Sequence, residues 1–140
     1  MALIADTSGL LAAINGGDRA HEDVRRCLER ERGPILVPDL VIAEVDYLLL
    51  RHVGRAAEEA FLEDLADGSL ARAGLQNADL VRALEIVRRY REGDVGVIDA
   101  TIVALAERLS VDRVLTLDLR HFRSFQLPSQ RPFVILPADA

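Results

Sequence analysis

Residues 2–17 read ALIADTSGLLAAINGG, and the reading of this stretch decides the fold. Ala2–Asp6 is a short apolar run ending in an acid, with the length and composition of a buried strand. Thr7 and Ser8 then open a helix that runs to about Ile14, where Asn15, Gly16 and Gly17 break it.

Outward from there the alternation continues. Asp18 reads as the N-cap of a second, arginine-rich helix reaching about Arg32. Gly33-Pro34 is a turn, and Ile35–Val37 is a second strand. Pro38 suits the first turn of a helix over Pro38–His52. Arg55–Ala66 is a helix closed by Asp67-Gly68, Ser69–Leu75 a strand, and Gln76–Arg91 a helix with Asn77 or Asp79 near its start. After the turn Gly93-Asp94-Val95-Gly96, a helix runs to about Leu109. Arg113–Leu117 is a strand ending at Asp118, and Pro132–Leu136 is the last strand. Short apolar strands alternating with helices predict an α/β class domain, a short, mainly parallel β-sheet flanked by α-helices. The 140 residues suit one domain, 1–140.

Half of the residues are hydrophobic, which excludes a disordered chain. The lone cysteine, Cys27, reads as a buried spectator in a helix. The start MALIADTSGL lacks the basic region and cleavage site of a signal peptide. No apolar run approaches the roughly 18 residues of a spanning helix, so a cytoplasmic location and no membrane partner are expected. The net charge of −6 argues against broad electrostatic capture of nucleic acid. All 17 basic residues are Arg, a side chain that grips phosphate with two parallel hydrogen bonds.

Four acids stand out by position. Asp6 and Asp118 each end a strand, where sites form in open α/β sheets. Glu44 shares a helix face with Leu40, Val41, Val45 and Leu48, and Asp99 heads a stripe of Ile102, Val103 and Ala106. A carboxylate on an apolar face costs free energy unless it is paired or binds a metal. Each acid also has a plainer reading: Asp6 and Asp99 as helix caps, Glu44 as a stripe-edge residue reaching water. Asp46, two residues on, faces nearly the opposite side from Glu44 and is its alternative. Four converging carboxylates would repel one another without a cation, and oxygen-only ligands suit Mg²⁺ or Mn²⁺ rather than Zn²⁺. His21, His52 and His121 lack a Ser or Cys partner and read as surface residues.

Together, Asp6-Thr7-Ser8, Glu44 within VIAEVDYLL, Asp99 within GVIDATIVALAERL, and Thr116-Leu117-Asp118 followed by Phe122 resemble the PIN-domain toxins of bacterial toxin–antitoxin pairs, the VapC type. The resemblance runs from Ala2 to about Pro137. It implies a PIN-like parallel sheet, a Mg²⁺- or Mn²⁺-dependent endoribonuclease, homodimerisation, and inhibition by a small cognate antitoxin. By position it implies that Asp6, Glu44, Asp99 and Asp118 are the acidic quartet, with Thr7 or Ser8 orienting the first carboxylate and Thr116 the fourth. Where some members carry an acid or amide two residues after the fourth acid, this chain has Arg120. Asp94 is then a substitute ligand, or simply a solvated turn residue.

The chemistry implied is metal-assisted hydrolysis of an RNA phosphodiester, with one or two ions on the quartet. Arg120 and Arg123 are the first choice for phosphate contacts; Arg51 and Arg55 flank the end of the Glu44 helix. The expected antitoxin contributes an Arg or Lys to the acids, with apolar surface near Leu10, Leu11, Leu48 and Leu49. The runner-up is a catalytically inert PIN-like module that binds RNA or protein. A signalling receiver would need paired acids at the first strand end and a lysine, which this chain lacks. A dinucleotide fold would need its glycine-rich turn, and an Asp-x-Asp phosphatase fails at Ser8.

Overall fold

Leu3, Ile4 and Ala5 are fully buried, and they form β1 (Leu3–Ala5), the middle strand of the sheet. The computed structural model describes residues 1–127 and 131–140. Along the chain follow α1 (Thr7–Ile14), α2 (His21–Glu29), β2 (Ile35–Pro38), α3 (Asp39–His52) and α4 (Arg55–Asp67). Next come β3 (Ala71–Ala73), α5 (Asn77–Arg89), a 3₁₀ turn at Arg91–Gly93, and α6 (Val97–Leu109). Then come β4 (Arg113–Leu115), α7 (Leu119–Ser124) and β5 (Val134–Leu136). The strands run in the order β3-β2-β1-β4-β5, all pairs parallel. The α/β parallel architecture agrees with the sequence reading.

Parallel strands buried on both faces read as continuous apolar runs, which is why LIA, ILV and RVL carry so little polarity. The chain leaves β1 toward β2 on one side, and β4 lies on the other. The sheet therefore reverses direction between β1 and β4, and a crevice opens beyond their carboxyl ends. Gly9 brings α1 down onto β4: a Cβ there would lie 2.6 Å from the Leu115 carbonyl oxygen. At the far edge Phe122 meets Phe125 and Phe133 edge-on, with centroids 5.4 and 5.5 Å apart.

Several expected boundaries move. Asp18 does not cap α2: its carboxylate accepts from the Ala20 N–H within a turn, and the helix starts at His21. Pro38 closes β2 instead of opening α3. The start of α5 is a capping box between Gln76 and Asp79, and the helix stops at Arg89. The strand expected over Arg113–Leu117 ends at Leu115, and α7 was not anticipated. Asp118 begins α7 by accepting from the His121 N–H, and burial of Phe122 holds it down.

Candidate active site

All four expected acids line one cleft of about 490 Å³ at the β1/β4 reversal. Asp6 directly follows β1 and is 6% exposed. Its Oδ1 accepts from the Thr7 N–H at 2.8 Å, and its Oδ2 from the Thr116 hydroxyl at 2.7 Å. It is thus the N-cap of α1 and a cleft acid at once. Thr116 comes from the end of β4, and so orients the first acid across the reversal. It also accepts from the Asp118 N–H at 3.1 Å and lies 3.2 Å from Ser8 Oγ. The expected roles therefore change: Thr116, expected at the fourth carboxylate, holds the first and meets only the backbone N–H of Asp118, Thr7 serves Asp6 through its N–H, and Ser8 lies beside Thr116 and accepts from the Leu117 N–H.

Glu44 is half-buried on α3, beside Leu48 at the cleft wall. Asp46 faces α4 instead, beside buried Glu58, whose carboxyl it pushes above the ordinary range, and its Oδ1 is buried without a hydrogen-bond partner among the described groups. Asp99 is in the first turn of α6; Gly96 is the cap, so the helix-cap reading of Asp99 is set aside. Asp118 is half-buried, at the start of α7 rather than on a strand.

The acids perturb one another. Burial pushes Asp6 up to about 6, against the two hydrogen bonds it accepts, with the charges of Asp99 and Glu44 adding to the rise. Burial also raises Asp99, opposed by His121 and assisted by Asp118 and Glu44. A site in which Asp6 and Asp99 are both held above the ordinary carboxylate range is short of positive charge. Thr7 Oγ1, lining the same cleft, is buried without a partner among the described groups. An all-oxygen donor set, raised carboxyl pKa values and an orphaned hydroxyl fit a hard divalent cation.

His121, read from the sequence as a surface residue, belongs to this site. Its Nδ1 lies 2.7 Å from Asp99 Oδ2 and 3.0 Å from Asp118 Oδ2, and its Nε2 lies 2.9 Å from the Gly93 carbonyl. Its side chain is only 13% exposed. The spacing i, i+3 from Asp118 was visible, but only a recognised α7 would have given it meaning. His21 is not free either: its Nδ1 lies 2.8 Å from the Ala12 carbonyl.

Other expectations fare unevenly. Asp94 is exposed with φ of 57° and is not among the cleft-lining residues. Arg123 is paired through both Nη atoms with Asp139, so it is committed elsewhere. Arg55 pairs with Glu58, and Arg51 donates to the Tyr47 hydroxyl. Arg120 is exposed, with its Nη2 3.2 Å from His121 Nε2. Leu10 and Leu49 are core, and only Leu11 and Leu48 reach the cleft.

A model of the PIN domain family matches residues 3–126. The chain belongs to the PIN-domain family. This PIN domain is 36% identical to Ribonuclease VapC26 of Mycobacterium tuberculosis, over 96% of this chain and 100% of the relative. Its fold superposes on the sarcin–ricin loop cleaving toxin VapC20 of Mycobacterium tuberculosis with a TM-score of 0.79 at 22% identity, covering 84% of this chain and 91% of that one. A toxin–antitoxin complex from Klebsiella pneumoniae gives a TM-score of 0.69 at 16% identity, over 88% and 92% of the two chains. At such identities the two solved structures speak for the PIN fold alone. Among the described residues, no helix is long and apolar enough to cross a membrane.

Proposed function

We propose that this PIN domain is a divalent-metal-dependent endoribonuclease, the toxin of a toxin–antitoxin pair, acting in the cytoplasm. The observation that carries the reading is the convergence of Asp6, Glu44, Asp99 and Asp118 on one cleft in which Asp6 is pushed up to about 6. Its relative of 36% identity is named a ribonuclease, which supports the reaction class.

Asp6, Glu44, Asp99 and Asp118 would hold Mg²⁺, with Mn²⁺ as a substitute. When bound, the ion supplies Lewis acidity toward a phosphate oxygen and makes water a better nucleophile near neutral pH. The chain's own residues do the rest. Thr116 and the Thr7 N–H fix the rotation of the Asp6 carboxylate, so its oxygens are set before anything binds. Burial and the neighbouring acids push the Asp6 carboxyl up to about 6, so a bound cation would meet a side chain short of positive charge. Leu11, Leu48 and Val97 line the cleft beside the acids. Arg120, exposed beside the cleft, neutralises a substrate phosphate.

Two partners follow from the reading. One is a second copy of the chain, as a homodimer. The other is a small antitoxin whose Arg or Lys enters the cleft and pairs with the acids, its apolar part resting on Leu11 and Leu48. The test is cleavage of a structured RNA by extensively dialysed protein. Activity should require added Mg²⁺ or Mn²⁺ and vanish in Asp6→Asn, Asp99→Asn and Asp118→Asn. Full turnover in excess EDTA would sink the reading.

A further inference from the structure

Three elements meet at His121. The side chain leaves α7, reaches Asp99 in the first turn of α6, returns to Asp118 at the start of α7, and touches the Gly93 carbonyl of the 3₁₀ turn. Nδ1 faces the two carboxylates, while Nε2 lies 2.9 Å from the Gly93 carbonyl and 3.2 Å from Arg120 Nη2. An ionised carboxylate has no proton to give, so the Nδ1–H must be the donor to Asp99 and Asp118. Carboxylates of the third and fourth acids are like charges, and α7 is only six residues long. So short a helix has little stability of its own. Something must hold its first turn against α6 if the two acids are to keep a fixed separation.

We propose that His121 is a positioning residue, whose Nδ1–H ties Asp99 to Asp118 and sets the geometry in which those two acids accept a divalent cation. This rests on the metal-binding reading of the quartet. His121 engages Asp99 through Oδ2, and Asp99 also lines the cleft. Its own backbone N–H takes Asp118 Oδ1, so the ring and the main chain together fix the fourth acid's rotation. The link to Gly93 fixes the ring plane and steadies the loop that leads into α6. Hydrogen-bonding partners that orient ligands in this way typically matter by about 10–100-fold in metal affinity.

The experiment is Mn²⁺ titration of metal-stripped protein by calorimetry, with thermal melts to check folding. Wild type, Asp99→Asn, His121→Ala, His121→Asn and His121→Gln are compared. The Asn amide places an N–H near the position of Nδ1, whereas the Gln amide reaches toward that of Nε2. His121→Ala should bind Mn²⁺ at least about 10-fold more weakly. His121→Asn should recover most of the loss, and His121→Gln little. If His121→Ala does not fold, the comparison of Asn with Gln carries the same test. Undiminished affinity in His121→Ala, with a loss in Asp99→Asn, overturns the positioning role alone. Rescue by Gln in place of Asn, or by neither, also overturns it, since the tie through Nδ1–H would then not be what matters. A wild type that binds no Mn²⁺ overturns the metal reading itself, and the positioning role with it.

Discussion

Asp6 carries two duties that pull in opposite directions. As the cap of α1 it is best ionised, because its oxygens accept two hydrogen bonds; buried among other acids it is best neutral. Burial wins in the metal-free protein. Folded Asp6 holds its proton to about pH 6, whereas an unfolded Asp releases it near 4. Between those values the folded state binds more protons, so stability falls as pH rises through the window. Metal-free wild type should therefore melt higher at pH 5 than at pH 7.5, as far as this residue contributes. A shift of this size corresponds to about 3 kcal/mol at most. Asp6→Asn should raise metal-free stability at pH 7.5 by about 1–3 kcal/mol while abolishing cleavage. Equal melting temperatures for both proteins at both pH values would contradict the raised pKa. Thr116→Val keeps the volume and removes the hydroxyl that holds Asp6 Oδ2. It should cost about 1.5–3 kcal/mol at pH 8, where Asp6 is charged, and less at pH 5.

At the scale of elements, the cleft depends on how closely α1 lies on β4 and how α3 is rotated. Gly9→Ala would drive a methyl against the Leu115 carbonyl and the Leu115 side chain, 2.6 and 2.7 Å away. Overpacking of this kind costs about 1–3 kcal/mol, and lifting α1 would pull Asp6 from Thr116. Urea melts and Mn²⁺ affinity should both register it; a variant of wild-type stability would show that α1 can shift freely. The rotation of α3 separates Glu44, in the cleft, from Asp46, against α4. Glu44→Gln should therefore lose most activity and Asp46→Asn little. Across α3 and α4 the neighbouring Asp46 carboxyl raises Glu58 first, burial second, with Arg55 opposing. A raised carboxyl stabilises at low pH and loses that contribution as pH rises through its folded value. Glu58→Gln supplies the donor at every pH. Its melting temperature should exceed wild type at pH 8, with the gap closing toward pH 4.

For the whole molecule, the acidic balance and the acidic cleft reinforce each other. A net charge of −6 gives little general attraction for RNA, so binding has to come from the cation in the cleft and a few arginines. A cation that binds only the folded protein stabilises it by about 2.7 kcal/mol at 100 times its dissociation constant. For a domain this size that is a melting shift on the order of 10 °C. The shift should be largely lost in Asp99→Asn. An equal shift in both proteins would mean that the ion stabilises from another surface.

The strand-then-acid runs at Ala2–Asp6 and Arg113–Asp118 carried the class of fold and two of the acids in their local pattern. The apolar stripes around Glu44 and Asp99 carried the other two, because helical periodicity is a property of neighbours in sequence. Element ends were less legible. Pro38 fits either a strand end or a first helical turn, and only pairing with Ala73 on β3 decided for the strand. Helix α7 was hidden because Leu117 continues the apolar run of β4, yet hydrogen bonds from the Leu117 N–H to Ser8 and from the His121 N–H to Asp118 turn the chain there. With α7 hidden, His121 had no face and no partner. Its contacts with Asp99, 22 residues away, and Gly93, 28 away, arise only once the sheet reverses between β1 and β4. The same holds for Thr116 on Asp6, a bond across 110 residues. The sequence by itself determined which carboxylates the protein has to place and which elements bear them, since those depend on local spacing. The tertiary structure alone decided what holds each carboxylate and which ones gain protons, because burial and long-range hydrogen bonds depend on residues the chain brings together only by folding.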